Sequence, residues 1–261
     1  NALLHKEMLA QARIQTEMDL ARQVQMRLLP QKTPAIADLR ITAQTKPASQ
    51  VGGDFYDFIN DQKGTLTFTI GDVSGKGMPA ALMMATLRTV LRSKVGTIAH
   101  AKPDRLLAEI NGALYPDFSE VDMFATIFVG QYDTHHHLLY YANDGHAPVI
   151  YRPAQGSAHL LEADAPPLGV IDFNLACAHV LPFAVGDLLV VTTDGFNEAE
   201  RSDGTMLGYE RLLAAVDELA DADIEEIAKQ LFALAHSFTE GHIQSDDQTL
   251  LVLKRIEADV L

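Results

Sequence analysis

The stretch from Thr65 to Leu91 restricts what this chain can fold into more than any other. Residues 65–70 alternate, with Leu66, Phe68 and Ile70 on one face and three threonines on the other, the period of a half-buried strand. The strand runs into Asp72. Gly71, Gly75 and Gly77 let the backbone turn sharply, and Pro79 suits the first turn of a helix whose apolar face is Ala80, Ala81, Leu82, Met84, Leu87 and Leu91. Asp72 is thereby held at a strand end beside a helix start, where a rigid frame can aim a carboxylate at a cation. The Gly-Lys pair does not make a nucleotide P-loop: three residues rather than four separate Gly71 from Gly75, and Gly77 rather than Ser or Thr follows Lys76. Read by itself, Asp72 is also compatible with merely closing a turn, the lesser of the two readings.

Other strand ends carry the same chemistry. Leu188 to Thr193 is an almost unbroken apolar run that ends in Asp194-Gly195, and Asp246-Asp247 stands at the start of the apolar segment Thr249 to Leu253. Gly52-Gly53 precedes Asp54, a fourth candidate. In the strand that follows, Asp54 and Asp57 point to opposite sides, so at most one of them faces a shared site. Carboxylates gathered at one mouth would raise one another's pKa unless cations occupied the space. Oxygen ligands without His or Cys select a hard ion, Mg2+ or Mn2+. Two such ions about 4 Å apart would activate a water and neutralise a phosphoryl group for in-line displacement. Metal-assisted phosphoester hydrolysis is the chemistry these residues point to.

The rest of the chain supplies a frame. Residues 1–29 lack Gly and Pro and are rich in helix formers, predicting one long helix that ends before Pro30. Its stripe of Leu3, Ala10, Ile14, Ala21, Val24 and Leu28 approximates a heptad repeat, interrupted by Glu7 and Glu17, and is open to packing on its own domain or on a second chain. A strand is expected at Leu39 to Ala43, a helix at Lys102 to Tyr115 terminated by Pro116, and strands at Met123 to Val129, His137 to Ala142 and Pro148 to Arg152. Asn143-Asp144-Gly145-His146 reads as a hairpin turn between the last two, as a turn alone or as part of the site. His135-His136-His137 reads as a solvated loop, since neighbours in a hairpin point in alternate directions. Leu175 to Leu181 predicts a strand, and Tyr209 to Ala220 and Ile224 to Phe238 predict helices. Residues 30–261 thus read as one mixed α/β domain behind a connecting helix, residues 1–29.

Composition excludes several classes. With 35 acidic against 20 basic residues and a net charge of -15, the surface should repel nucleic acid and anionic lipid. The single Cys177 offers neither a disulfide nor a cysteine zinc site, which suits a reducing interior. No apolar run approaches the roughly 20 residues needed to span a bilayer, and no signal segment opens the chain. A cytoplasmic protein is the expectation, and a start at Asn1 rather than Met is expected of a piece of a longer chain.

Five motifs occur together in order: Val-Gly-Gly-Asp-Phe-Tyr-Asp at 51–57, Gly-Asp-Val-Ser-Gly-Lys-Gly-Met-Pro-Ala-Ala-Leu at 71–82, Asn-Asp-Gly-His-Ala-Pro at 143–148, Thr-Asp-Gly-Phe-Asn-Glu-Ala at 193–199 and Asp-Asp-Gln-Thr at 246–249. In order and spacing the chain resembles the bacterial SpoIIE/RsbU-like serine phosphatases, a branch of the metal-dependent type-2C-like (PPM) protein phosphatases, over about residues 20–256; Ala21 to Pro30 is similar to the family's entry segment. The resemblance implies an α+β fold, a four-layer α-β-β-α sandwich of two antiparallel sheets flanked by helices, with two Mn2+ or Mg2+ ions at one end. It implies that Asp72 bridges both ions, that the Val73 carbonyl helps bind one, and that Asp194 and Asp246 complete the centre. Asp54 would hold a metal-bound water or touch the second ion, with Asp247, Gly53 and Asn143 as additional members. Ser74 stands where the wider family has His, which leaves the general acid open, and Asp144 stands where the branch usually has Ala. The implied partners are a phosphorylated protein of the anti-sigma-factor-antagonist type, an upstream sensor or receiver domain, and a second copy through the leading helix. The alternative is a catalytically silent phosphatase-like module that sequesters a regulatory protein.

Overall fold

The computed structural model of the protein describes residues 2–61, 64–97 and 102–258. The helix-forming start is α1 (Ala2–Leu28), followed by β1 (Leu39–Lys46), β2 (Phe55–Asn60) and β3 (Thr65–Val73). Beyond the glycine turn come α2 (Met78–Thr97) and α3 (Pro103–Glu120), then β4 (Ala125–Asp133), β5 (Leu138–Asp144), β6 (Val149–Arg152), β7 (His159–Leu161) and β8 (His179–Pro182). β9 (Leu188–Thr192) passes through the single turn α4 (Asp194–Asn197) to α5 (Gly208–Glu218) and α6 (Ile224–Phe238), and β10 (Gln248–Arg255) follows.

These strands form two five-stranded antiparallel sheets, ordered β1-β10-β9-β6-β7 and β2-β3-β4-β5-β8. α5 and α6 cover the first sheet and α2 and α3 the second, which gives the four-layer sandwich the sequence implies. The apolar runs of β9 and β10 are unbroken because both faces are buried. Leu189, Val191, Leu251 and Leu253 join the core shared with the second sheet, whereas Leu188, Val190, Leu250 and Val252 join a separate core with α5 and α6. α6 is fixed at its start by Asp223, whose carboxylate accepts the Glu225 N–H. Its Ile227, Leu231 and Phe238 then turn inward at helical spacing.

Several expectations need correction. Pro116 does not end its helix: α3 continues to Glu120, because fully buried Phe118 anchors the last turn and holds the chain past the missing amide. Residues 143–146 do not form a hairpin turn, since β5 and β6 lie in different sheets; Asn143 and Asp144 end β5, and residues 145–148 cross from one sheet to the other. Gly145 makes that crossing at φ +65, with Pro167 so close that a Cβ would come within 2.5 Å of it. Of Leu175 to Leu181 only the far end is strand, β8, and the three-residue β7 escaped the sequence because it is too short to show a period. The threonine face of β3 is not solvated: Thr67 and Thr69 are buried, and Thr69 Oγ1 donates to the Phe128 carbonyl at 2.8 Å. In the histidine turn, His135 and His136 are exposed as expected, but His137 is tied to Asp38 at 3.0 Å.

Candidate active site

Both sheets feed one mouth. Asp54 precedes β2 and Asp72 lies near the end of β3, whereas Asp194 follows β9 and Asp246-Asp247 precede β10. Asp54 and Asp72 are near enough for each to act on the other's carboxyl, and the charges of Asp194, Asp246 and Asp247 all act on Asp72. Asp57 points the other way, as the alternation requires. It is fully buried, takes Arg92 Nη1 at 2.7 Å and Arg88 Nε at 3.0 Å, and fastens α2 to β2.

Glycines set how closely these segments approach. A Cβ on Gly53 would lie 2.3 Å from the Val73 carbonyl oxygen and 2.8 Å from Asp72 Oδ1, so glycine there keeps two oxygen donors clear side by side. On Gly52 a Cβ would stand 1.5 Å from Asp247 Oδ2, and on Gly195 it would stand 2.0 Å from the Asp247 carbonyl. The carboxylates are also held by their neighbours. Thr193 Oγ1 donates to Asp54 Oδ2 at 2.8 Å while accepting the Thr249 N–H at 3.0 Å. Asp247 Oδ1 accepts the Ala48 N–H at 2.8 Å, and the Asp247 N–H donates to Asp246 Oδ1 at 2.9 Å.

The cluster is electrostatically loaded. Burial, and after it the charges of Asp194 and Asp246, pushes the Asp72 carboxyl up to about 7. Asp54 is raised well above the carboxylate range by burial and then by Asp72 and Asp247. Asp194 is raised by burial, Glu198 and Asp246, and Asp247 is raised chiefly by burial. A cation enters from the glycine turn: Lys76 Nζ lies 3.1 Å from Asp246 Oδ2 and donates to the Ser245 carbonyl at 2.6 Å. Among the described residues no group of three or more His, Cys, Asp and Glu stands close enough as placed to hold a metal ion. The donor set itself, carboxylates plus the carbonyl that Gly53 leaves clear, is of the hard-oxygen kind that takes Mg2+ or Mn2+.

Of the residues singled out from sequence, Asp54, Asp72, Val73, Gly53, Asp194, Asp246 and Asp247 converge. Asn143 does not join them by any contact: its Oδ1 accepts the His146 N–H at 2.8 Å and shapes the sheet-to-sheet crossing, and its buried Nδ2 has no partner. Sequence reasoning missed Thr193, weighed Lys76 only as part of a P-loop, and overlooked Gln25. The Gln25 side chain clamps Gly52 from α1, its Nε2 donating to the carbonyl at 2.6 Å and its Oε1 accepting the N–H at 3.2 Å. The available signal was small: a threonine just before Asp194, and a lysine between two glycines just after Asp72.

Known proteins resemble this chain in sequence and fold. Phosphoserine phosphatase RsbU of Bacillus subtilis (strain 168) is 31% identical over 249 residues, covering 94% of this chain and 72% of its own length. Phosphoserine phosphatase RsbP of the same organism is 24% identical, and the match takes in 91% of this chain but 57% of RsbP. The solved SiaA-PP2C domain of Pseudomonas aeruginosa has the same fold, with a TM-score of 0.83 at 23% identity over 94% of this chain and 98% of that one. The family described as Stage II sporulation protein E (SpoIIE) matches residues 62–256, which run from the entry to β3 through the whole of β10. With four of the five acidic positions of the mouth inside that match, and the sandwich that gathers them shared with its relatives, the chain belongs to the SpoIIE family.

Proposed function

We propose that this protein phosphatase removes phosphate from phosphoserine or phosphothreonine of a protein partner, using two Mn2+ or Mg2+ ions held at the mouth shared by the two sheets. The observation that carries the reading is the group of acidic side chains from four separate segments, driven upward in pKa by burial and by one another. Such a set is stable at neutral pH only when protonated or matched by cations. Asp72 and the Val73 carbonyl beside it would hold the ions from one sheet, and Asp194 and Asp246 would hold them from the other. When bound, the ions supply charge neutralisation at the phosphoryl oxygens and a water acidic enough to attack phosphorus.

The protein's own groups do the rest. Asp54, fixed by Thr193 and near Asp72, is placed to hold and orient the attacking water through its second oxygen. Asp247 is turned toward the Ala48 N–H and supports the loop in front of Asp54 rather than reaching to the centre. Gly53 keeps the approach to Asp72 free of side-chain atoms.

The reading extends to context. The likeness to RsbU and RsbP, both named phosphoserine phosphatases, favours phosphoserine as the group attacked, and the motif resemblance implies a bacterial partner-switching or two-component circuit with an anti-sigma-factor antagonist as the substrate type. An upstream sensor or receiver domain would connect through α1, whose exposed Leu3, Met8, Leu9 and Ile14 also suit pairing with a second copy. The deciding experiment is hydrolysis of an aryl phosphate and of a phosphoserine peptide with and without Mn2+. Metal-dependent turnover that disappears in Asp72→Asn and Asp194→Asn is expected. Folded protein with no metal-dependent turnover would instead make the chain a silent binding module.

A further inference from the structure

The turn Gly75-Lys76-Gly77 carries a cation into the acidic mouth. Both glycines have positive φ, +88 and +73, and no heavy atom lies within 4 Å of where a Cβ on Gly77 would be, so the lysine stands on a loop with space around it. Its ammonium bridges Asp246 Oδ2 at 3.1 Å and the Ser245 carbonyl at 2.6 Å, and its charge also acts on Asp194 and Asp247. More than half of the Lys76 side chain remains in solvent. It therefore sits on the surface side of the cluster, where a phosphate must enter, and it holds an oxygen of a residue assigned above as a metal ligand.

We propose that Lys76 is a tethered counter-ion: a divalent cation displaces its ammonium from Asp246, and the freed ammonium then grips the phosphate of the substrate. The inference rests on the metal-centre reading and deepens it. A divalent ion bound to the same carboxylate repels the ammonium at that distance and weakens its hold on Asp246 Oδ2. The lysine side chain is long and flexible enough to swing a compact charge from one partner to another without moving the backbone. Two divalent ions leave the five carboxylates of the mouth close to neutral, and the lysine supplies the remaining positive charge that a phosphate dianion meets on arrival. Metal loading and substrate affinity are coupled through one side chain.

Two constants that move in opposite directions test this in the full chain. Mn2+ binding is measured by titration calorimetry, and the inhibition constant of inorganic phosphate is measured against aryl phosphate hydrolysis at saturating Mn2+. In Lys76→Met, removal of the competitor is expected to tighten Mn2+ binding about two- to fivefold, the range of an exposed ion pair. The same change should weaken phosphate binding by about tenfold, as loss of a charge-assisted contact does. Lys76→Arg should bring phosphate binding back toward wild type. Unchanged or weaker Mn2+ binding in Lys76→Met overturns the displacement, and an unchanged phosphate constant overturns the grip. Wild-type protein that binds no Mn2+ brings down the metal-centre reading itself and this inference with it.

Discussion

A single missing carbon decides how the acidic mouth is closed. Gly52→Ala would put its methyl group into the space now filled by Asp247 Oδ2, and it would push that carboxylate off the Ala48 N–H. A loss of about 1–3 kcal/mol in stability is expected, together with a higher Mn2+ requirement; urea melts and a metal titration of turnover measure the two. Asp144 makes a different prediction. It is fully buried, its Oδ1 has no partner, its Oδ2 takes Asn174, and burial raises its carboxyl to about 7. Because the folded value lies above the unfolded one of 3.8, the native state holds the proton longer, and this residue's contribution to stability is lost as pH rises from about 4 through about 7. Asp144→Asn should remove that slope and be more stable than wild type at pH 8 by about 1–3 kcal/mol, read from melts across pH. At this scale the carboxylates were legible because apolar alternation runs straight into them. Thr193 was not, since what makes it matter is Asp54, 139 positions away in the chain.

At the scale of elements, α1 divides into two parts. Its first four turns expose Leu3, Met8, Leu9 and Ile14, while its last turn buries Gln25 and seats Leu29 in the core just beyond it. Deleting residues 2–18 is expected to change the mass in solution if the exposed face pairs with a partner helix, with the grip on Gly52 intact. Gln25→Ala should leave the mass alone, strand the Gly52 N–H and carbonyl, and lower metal-dependent turnover, with a stability loss of about 1–3 kcal/mol. Unchanged mass, metal affinity and rate in both variants would reduce α1 to a tether. Element identity was legible wherever burial is one-sided or complete over many residues, as in α6, β9 and β10. It failed at β7, a three-residue edge segment, while the bounds were missed at the start of the edge strand β8 and at Pro116, where packing of Phe118 outweighs a local helix breaker. The turn expected at 143–146 was misread because a tight glycine turn between apolar runs does not say which sheet the next strand enters.

At the scale of the whole molecule, the mouth exists only while the two sheets are packed together, because Asp72 hangs from one and Asp194 and Asp246 from the other. Metal bound there should therefore stabilise the fold globally. At about a hundredfold excess over the dissociation constant the gain is about 3 kcal/mol, a rise in melting temperature of roughly 5–10 °C for a chain of this size, reversed by a chelator. Calorimetry with Mn2+ and with excess EDTA checks it, and Asp72→Ala should melt at the same temperature in both. The sheet order adds a consequence for synthesis. β10, the last strand among the described residues, lies inside its sheet between β1 and β9, so a nascent chain that has not yet released residues 248–255 from the ribosome has nothing to join those two strands. A chain terminated before Asp246 lacks both an interior strand and a proposed ligand, so such a truncation should yield no partly active enzyme, and activity should appear only once residues 246–255 are free to pair.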